Sequence, residues 1–189
     1  MWIWNDIMEP LRPRLRRLGV PQAADYALAC VDHAFSGLRV QFRRGVPAAD
    51  LLRAEACLRS LWQHLEPGRV ISPVADEDLR QLTGLIPDEQ ETDPVEGWSD
   101  FLFACVAAIR CINGRDLPTR CFDAVGVSYQ AVARQQVYPL RQRGWTQVEF
   151  RDAERKCSVC SQELEFQLQA LSLIEEGKWL GSSTFTDLP

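Results

Sequence analysis

The sequence predicts an all-α, single-domain helical bundle of about six or seven helices, and three observations predict it. Apolar residues recur at three- and four-residue steps along most of the chain between Pro21 and Glu176. No stretch alternates apolar and polar residues as a half-buried strand would. One segment, Trp98 to Ile112, is almost wholly apolar, with Arg110 the only charged side chain after Asp100. A surface helix keeps a polar stripe, so this one, over about 99–112, is expected at the centre with other elements around it. Its length and its three alanines favour helix over buried strand. It is too short to span a bilayer, which takes about 20 apolar residues.

The elements follow in order. Residues 1–18 mix aromatic and basic residues with Pro10 and Pro13, which predicts a broken, less regular helix. The basic run Arg12, Arg14, Arg16 and Arg17 reads as a solvated face. From Pro21 to Arg44, Ala27, Cys30, Val31, Ala34, Phe35, Leu38 and Phe42 trace one face of an amphipathic helix that Gly45 stops. After Pro47, Leu51, Ala54, Cys57, Leu58, Leu61, Trp62 and Leu65 trace a second, closed by Pro67-Gly68. A shorter helix runs from about Asp76 to Leu85, ended by Pro87. Residues 88–97 are an acidic loop. In the central helix Ser99 or Asp100 is the expected N-terminal cap and Gly114 the stop. Another helix starts near Pro118-Thr119 with Cys121, Phe122, Val125, Tyr129 and Val132 inward; Pro139 and Gly144 break the chain after it. A last long helix is expected from about Thr146 to Glu176, with Cys157, Cys160, Leu164, Leu168, Leu171 and Ile174 on its inner face. The tail 178–189 shows no period.

Composition narrows the function. At 189 residues, with 46% hydrophobic and 25% charged residues, the chain fits one ordinary globular domain, 1–189. A net charge of −5 argues against nucleic acid or an anionic membrane as partner and suits a basic protein. No signal peptide is read at the N-terminus. Seven cysteines, most at apolar helical positions, suit the reducing cytoplasm, where cysteine acts as a small hydrophobe.

Taken together, the Cys30-centred helix ending near Phe42, Leu61-Trp62, Ile86-Pro87 before an acidic loop, and the Ala-Cys-Val-Ala of residues 104–107 form a pattern. With the Glu- and Gln-rich stretch around Glu163–Phe166, it resembles the YjaG-like family of small all-helical bacterial proteins of unassigned function. The likeness extends from roughly Leu15 to Glu176. It implies a helical fold and supplies no catalytic residues. By analogy, small acidic helical proteins of this kind also recur as immunity partners beside bacterial toxins.

No constellation in the sequence carries chemistry. Cys157-Ser158-Val159-Cys160 is a Cys-x-x-Cys pair, but zinc needs two more ligands and no second pair exists. Placed inside the last helix, the pair is read as core packing rather than as a redox or metal site. His33 and His64, the two histidines, lie beside no nucleophile at a telling spacing. There is no glycine-rich phosphate loop, and Glu163, Glu165, Glu175 and Glu176 lack a Glu-x-x-His partner. No catalytic residue, metal or cofactor is therefore expected.

What remains is charge. Between Asp76 and Asp100 the acids are opposed only by Arg80. Asp88, Glu89, Glu91, Asp93 and Glu96 are the candidate partner-binding residues, with Trp98 as a candidate anchor that competes with a core role. The leading expectation is a non-enzymatic cytoplasmic immunity protein that occludes a basic toxin, plausibly a nuclease. The alternative is a YjaG-like housekeeping protein with a regulatory, redox or small-molecule role.

Overall fold

The computed structural model describes residues 2–65, 73–88, 92–114, 117–140 and 145–182. Every regular element among them is helical, so the chain is all-α. Three helices form the centre: α3 (Val20–Gly45), α6 (Trp98–Ile112) and α7 (Leu117–Val137), each packed on the other two. Before them come α1 (Ile3–Met8), a 3-10 turn, and α2 (Arg12–Leu15), which lie against α7. Pro10 and Pro13 interrupt this region as the sequence predicts. α4 (Ala48–Gln63) and α5 (Asp76–Thr83) cover α3 and α6 from one side. α8 (Gln147–Lys156) and α9 (Ser158–Glu175) close the other side over α7 and α3.

The central position is shared. α6 is buried along most of its length, yet Phe103 is half-exposed and Arg110 is exposed, seven residues apart on one outward stripe. α3 is buried without interruption from Ala23 to Asp32, and that run includes two carboxylates, Asp25 and Asp32. These hold the chain after α9. The Leu180 amide donates to Asp25 Oδ2 at 3.0 Å, and Ser182 Oγ donates to Asp32 Oδ2 at 2.9 Å. Trp179 meets the edge of Trp62 at 6.1 Å. The described part of the tail is irregular but docked.

The α6 cap differs from the expectation. The helix starts one residue early, at Trp98, and Asp93 supplies the cap by accepting the Ser99 amide at 3.2 Å and the Ser99 hydroxyl. Asp100 reaches away to Arg134 of α7, 3.0 Å distant. Burial pushes the Asp100 carboxyl up to about 6, with Arg134 pulling it down and Asp93 and Glu96 pushing it up. Asp93 reaches Ser99 because Gly97 turns the chain at φ +85°. A Cβ at Gly97 would stand 2.4 Å from the backbone oxygen of Ala131 in α7. Gly97→Ala therefore combines a left-handed backbone with a clash against backbone that cannot move aside. We expect it to lower unfolding free energy by about 2 kcal/mol or more in chemical denaturation; an unchanged midpoint would mean that α6 and α7 slide apart at no cost.

The last helix is two helices. Thr146 and Glu149 make a capping box at the start of the first, with Glu149 Oε2 accepting the Thr146 amide at 2.7 Å. The helix then stops at Lys156, Cys157 is extended (φ −79°, ψ 109°), and α9 begins at Ser158. The reason lies in Glu154 and Glu163, both buried. Nine residues of continuous helix turn through about 900°, which would put them on opposite faces. The break lets both face inward. Glu154 accepts the Ile3 amide at 3.0 and 3.1 Å, capping α1, and takes the Tyr129 hydroxyl at 2.7 Å.

Candidate functional site

The acidic segment borders a groove of about 600 Å³ between the start of α4, the end of α5 and the approach to α6. Pro47, Leu85, Ile86, Pro87 and Pro94 give it apolar walls, and Asp50 and Arg53 face each other at 3.8 Å along its α4 side. Of the residues expected to bind a partner, Asp88 and Glu96 are exposed, while Glu89 and Glu91 lie outside the described residues. Asp93 is half-buried and engaged with Ser99, so its charge already serves the fold. Trp98 is 1% exposed. Its ring packs edge-on against Phe42 at 5.1 Å and tilted on Phe101 at 5.8 Å, so it underlies the groove as core instead of anchoring a partner. Asp76 and Glu77, at the far end of α5, are exposed too, and Glu77 pairs with Arg80 at 3.0 Å.

A second arrangement was hidden from sequence reasoning. His33 on α3 meets Glu163 on α9, with Nδ1 2.7 Å from Oε2 across 130 residues of chain. The imidazole lies flat on Phe166, ring centres 3.8 Å apart and planes 5° from parallel. Glu163 is held in turn by Gln167 Nε2 at 2.9 Å, and Gln167 Oε1 accepts the Trp4 indole N–H at 2.7 Å. Gln167 Nε2 also donates to the Val125 carbonyl at 3.1 Å and the Ser128 hydroxyl at 3.3 Å. A shallow cleft of about 230 Å³, with Ser36, Gly37, Val132, Val159 and Gln162, opens over this pair. A carboxylate fixing one imidazole nitrogen is how proteins orient a histidine. Here the network ties α3, α7, α9 and the N-terminal helix through groups that would otherwise be buried without partners. The available signal was Glu163 and Gln167 at helical spacing on a face otherwise apolar. Their partners come from other helices, so spacing alone could not name them.

The N-terminal aromatics build a third cavity, of about 310 Å³, at the start of α8. Trp2 stacks near Tyr138 at 6.1 Å and meets Phe150 edge-on at 5.1 Å, with Trp145 and Arg134 completing the wall.

The cysteines need one correction. Cys157 and Cys160 are not mid-helix residues on one apolar face. Cys157 is the N-terminal cap of α9, half-buried, and its sulfur accepts the Cys160 amide at 3.4 Å. Cys160 is buried. Burial, and then its hydrogen bond to the Cys157 sulfur, push the Cys160 thiol well above its ordinary value. Among the described residues, no three His, Cys, Asp or Glu side chains come together in a way that could hold a metal ion. No helix among them is long and apolar enough to cross a membrane.

No protein family, curated protein or solved structure matches the chain. The resemblance to the YjaG-like family therefore rests on the packing residues quoted for it.

Proposed function

We propose that this chain is a non-enzymatic binding protein of the immunity type, which acts in the cytoplasm by occupying the working surface of a basic toxin. One observation carries the reading: a groove with Pro47, Leu85, Ile86, Pro87 and Pro94 in its walls, in a segment where Asp88 and Glu96 are exposed, on a chain of net charge −5. Occlusion requires shape and charge at a surface and no catalytic group. The apolar walls offer area that loses water on contact, and the acids at the rim attract a cationic partner and set its orientation. The occupant that fits is an extended basic segment carrying one or two apolar side chains.

The test uses the polypeptide encoded by the adjacent reading frame, since an immunity protein is encoded beside its toxin. It is expected to be basic and to bind the chain in a stable complex. Reversal of Glu89, Glu91 and Glu96 to Lys leaves Asp93 in place as the α6 cap, so the helical spectrum should not change. The association rate should fall about tenfold or more at low salt, with a smaller loss at high salt where the charges are screened. An unaltered rate in this variant, together with full protection of cells expressing the toxin, would remove the groove from the interface.

A further inference from the structure

We propose that Cys157 and Cys160 are a redox-active dithiol that closes reversibly to a disulfide, with Cys157 the thiol that meets the oxidant. The break between α8 and α9 creates the site. It lifts Cys157 out of the helix into an extended residue with part of its surface open, while Cys160 stays buried one turn further on. The Cys160 amide, one of the free N–H groups at the head of an 18-residue helix, donates to the Cys157 sulfur at 3.4 Å. A sulfur so placed is accessible to a small disulfide and already has the Cys160 backbone folded against it. Lys156, exposed, immediately precedes it. The hydrogen bond from the Cys160 amide to the Cys157 sulfur folds the two residues onto the first turn of α9, so closing the disulfide spans that single turn.

The other cysteines provide an internal contrast. Cys111 and Cys121 also neighbour one another, but neither has exposed surface, and the Cys121 thiol donates to the Ala23 carbonyl at 3.5 Å. Proximity is common to the two pairs; access belongs to Cys157 alone.

The oxidant class that fits is a low-molecular-weight disulfide such as glutathione disulfide. The Cys157 thiol loses its proton to water, and its thiolate attacks one sulfur of that disulfide. A mixed disulfide forms and one glutathione leaves as thiolate, which takes up a proton. Cys160 then attacks the Cys157 sulfur as its proton passes to the departing glutathione sulfur, and the second glutathione leaves as a thiol. The protein dithiol is oxidised by two electrons and the small disulfide is reduced to two thiols.

The test equilibrates the full native chain with glutathione and glutathione disulfide at a series of ratios, blocks free thiols with iodoacetamide, and maps the peptides. The expected product is a peptide carrying the Cys157–Cys160 disulfide, with the other five cysteines alkylated only after unfolding. In the reduced protein Cys157 should react with iodoacetamide about tenfold faster or more than those five. Cys160→Ser should leave a persistent glutathione adduct on Cys157; Cys157→Ser should leave none on Cys160. Both thiols staying reduced at every ratio, or a disulfide forming no more readily there than between Cys111 and Cys121, would overturn the proposal. The wild-type mapping decides this even where a variant folds poorly.

Discussion

Ile109→Asp is expected to leave no folded protein at room temperature. Ile109 sits in the inner face of α6 with no exposed surface. A carboxylate there loses its water and gains no partner, at a cost of several kcal/mol, against a total stability of roughly 5–15 kcal/mol for a domain of this size. Val106→Asp, on the same helix and buried, should behave similarly. Phe103→Asp supplies the contrast. Phe103 is 50% exposed on the outward stripe, and its replacement should leave the far-ultraviolet spectrum and the urea midpoint nearly unchanged. A soluble Ile109→Asp protein with the wild-type midpoint would mean that α6 does not sit at the centre of the bundle.

The second large effect is a dependence of stability on pH, with a sign opposite to that of ordinary surface acids. Burial pushes the Asp25 carboxyl up to about 7, and the amides of Leu180 and Gly181 only partly pull it back. In the unfolded chain the same group titrates near 4, so between about pH 4 and 7 the folded state holds the proton more tightly. The stability this supplies is complete below pH 4 and is lost as pH rises through 7. The interval corresponds to something on the order of 4 kcal/mol. Asp25→Asn keeps an acceptor for the Leu180 amide and has no proton to lose. The expected result is a wild-type stability that falls by about that much, relative to Asp25→Asn, between pH 4 and 8. Asp100, pushed up to about 6, adds a smaller fall in both proteins and cancels in the comparison. Parallel curves for the two proteins would show that Asp25 carries its charge in the folded state at no cost.

The helices and most of their limits were legible in the sequence because they depend on near neighbours. Spacing placed α3, α4 and α7, and proline divided the N-terminal region. The last helical stretch was expected to begin near Thr146, and α8 begins there. The apolar run of 98–112 announced a helix with almost no solvent face, and α6 has one narrow outward stripe. Local signals failed where a side chain answers to a distant partner. Ser99 and Asp100 both have the chemistry of a cap, but Gly97 lets Asp93 fold back onto α6 while Arg134 draws Asp100 away. Trp98, beside an acidic loop, offered itself as an anchor until Phe42 and Phe101 covered it.

The sequence by itself determined the fold class, the inner faces of α3, α4 and α6 and the acidic balance, because hydrophobic periodicity and charge are properties of the chain alone. On α9, Glu163, Gln167 and Ala170 are buried while the expected Leu164 and Leu168 are only half-buried. Only the tertiary structure decided which polar groups act together. His33 and Glu163 are 130 residues apart and meet because α3 and α9 pack side by side. Glu154 and Glu163 both require partners inside the protein, and a straight helix cannot turn both inward. The chain breaks at Cys157 to satisfy them, and that break places the Cys157 sulfur at the head of α9. A buried charge left without a partner costs more than one interrupted turn of helix.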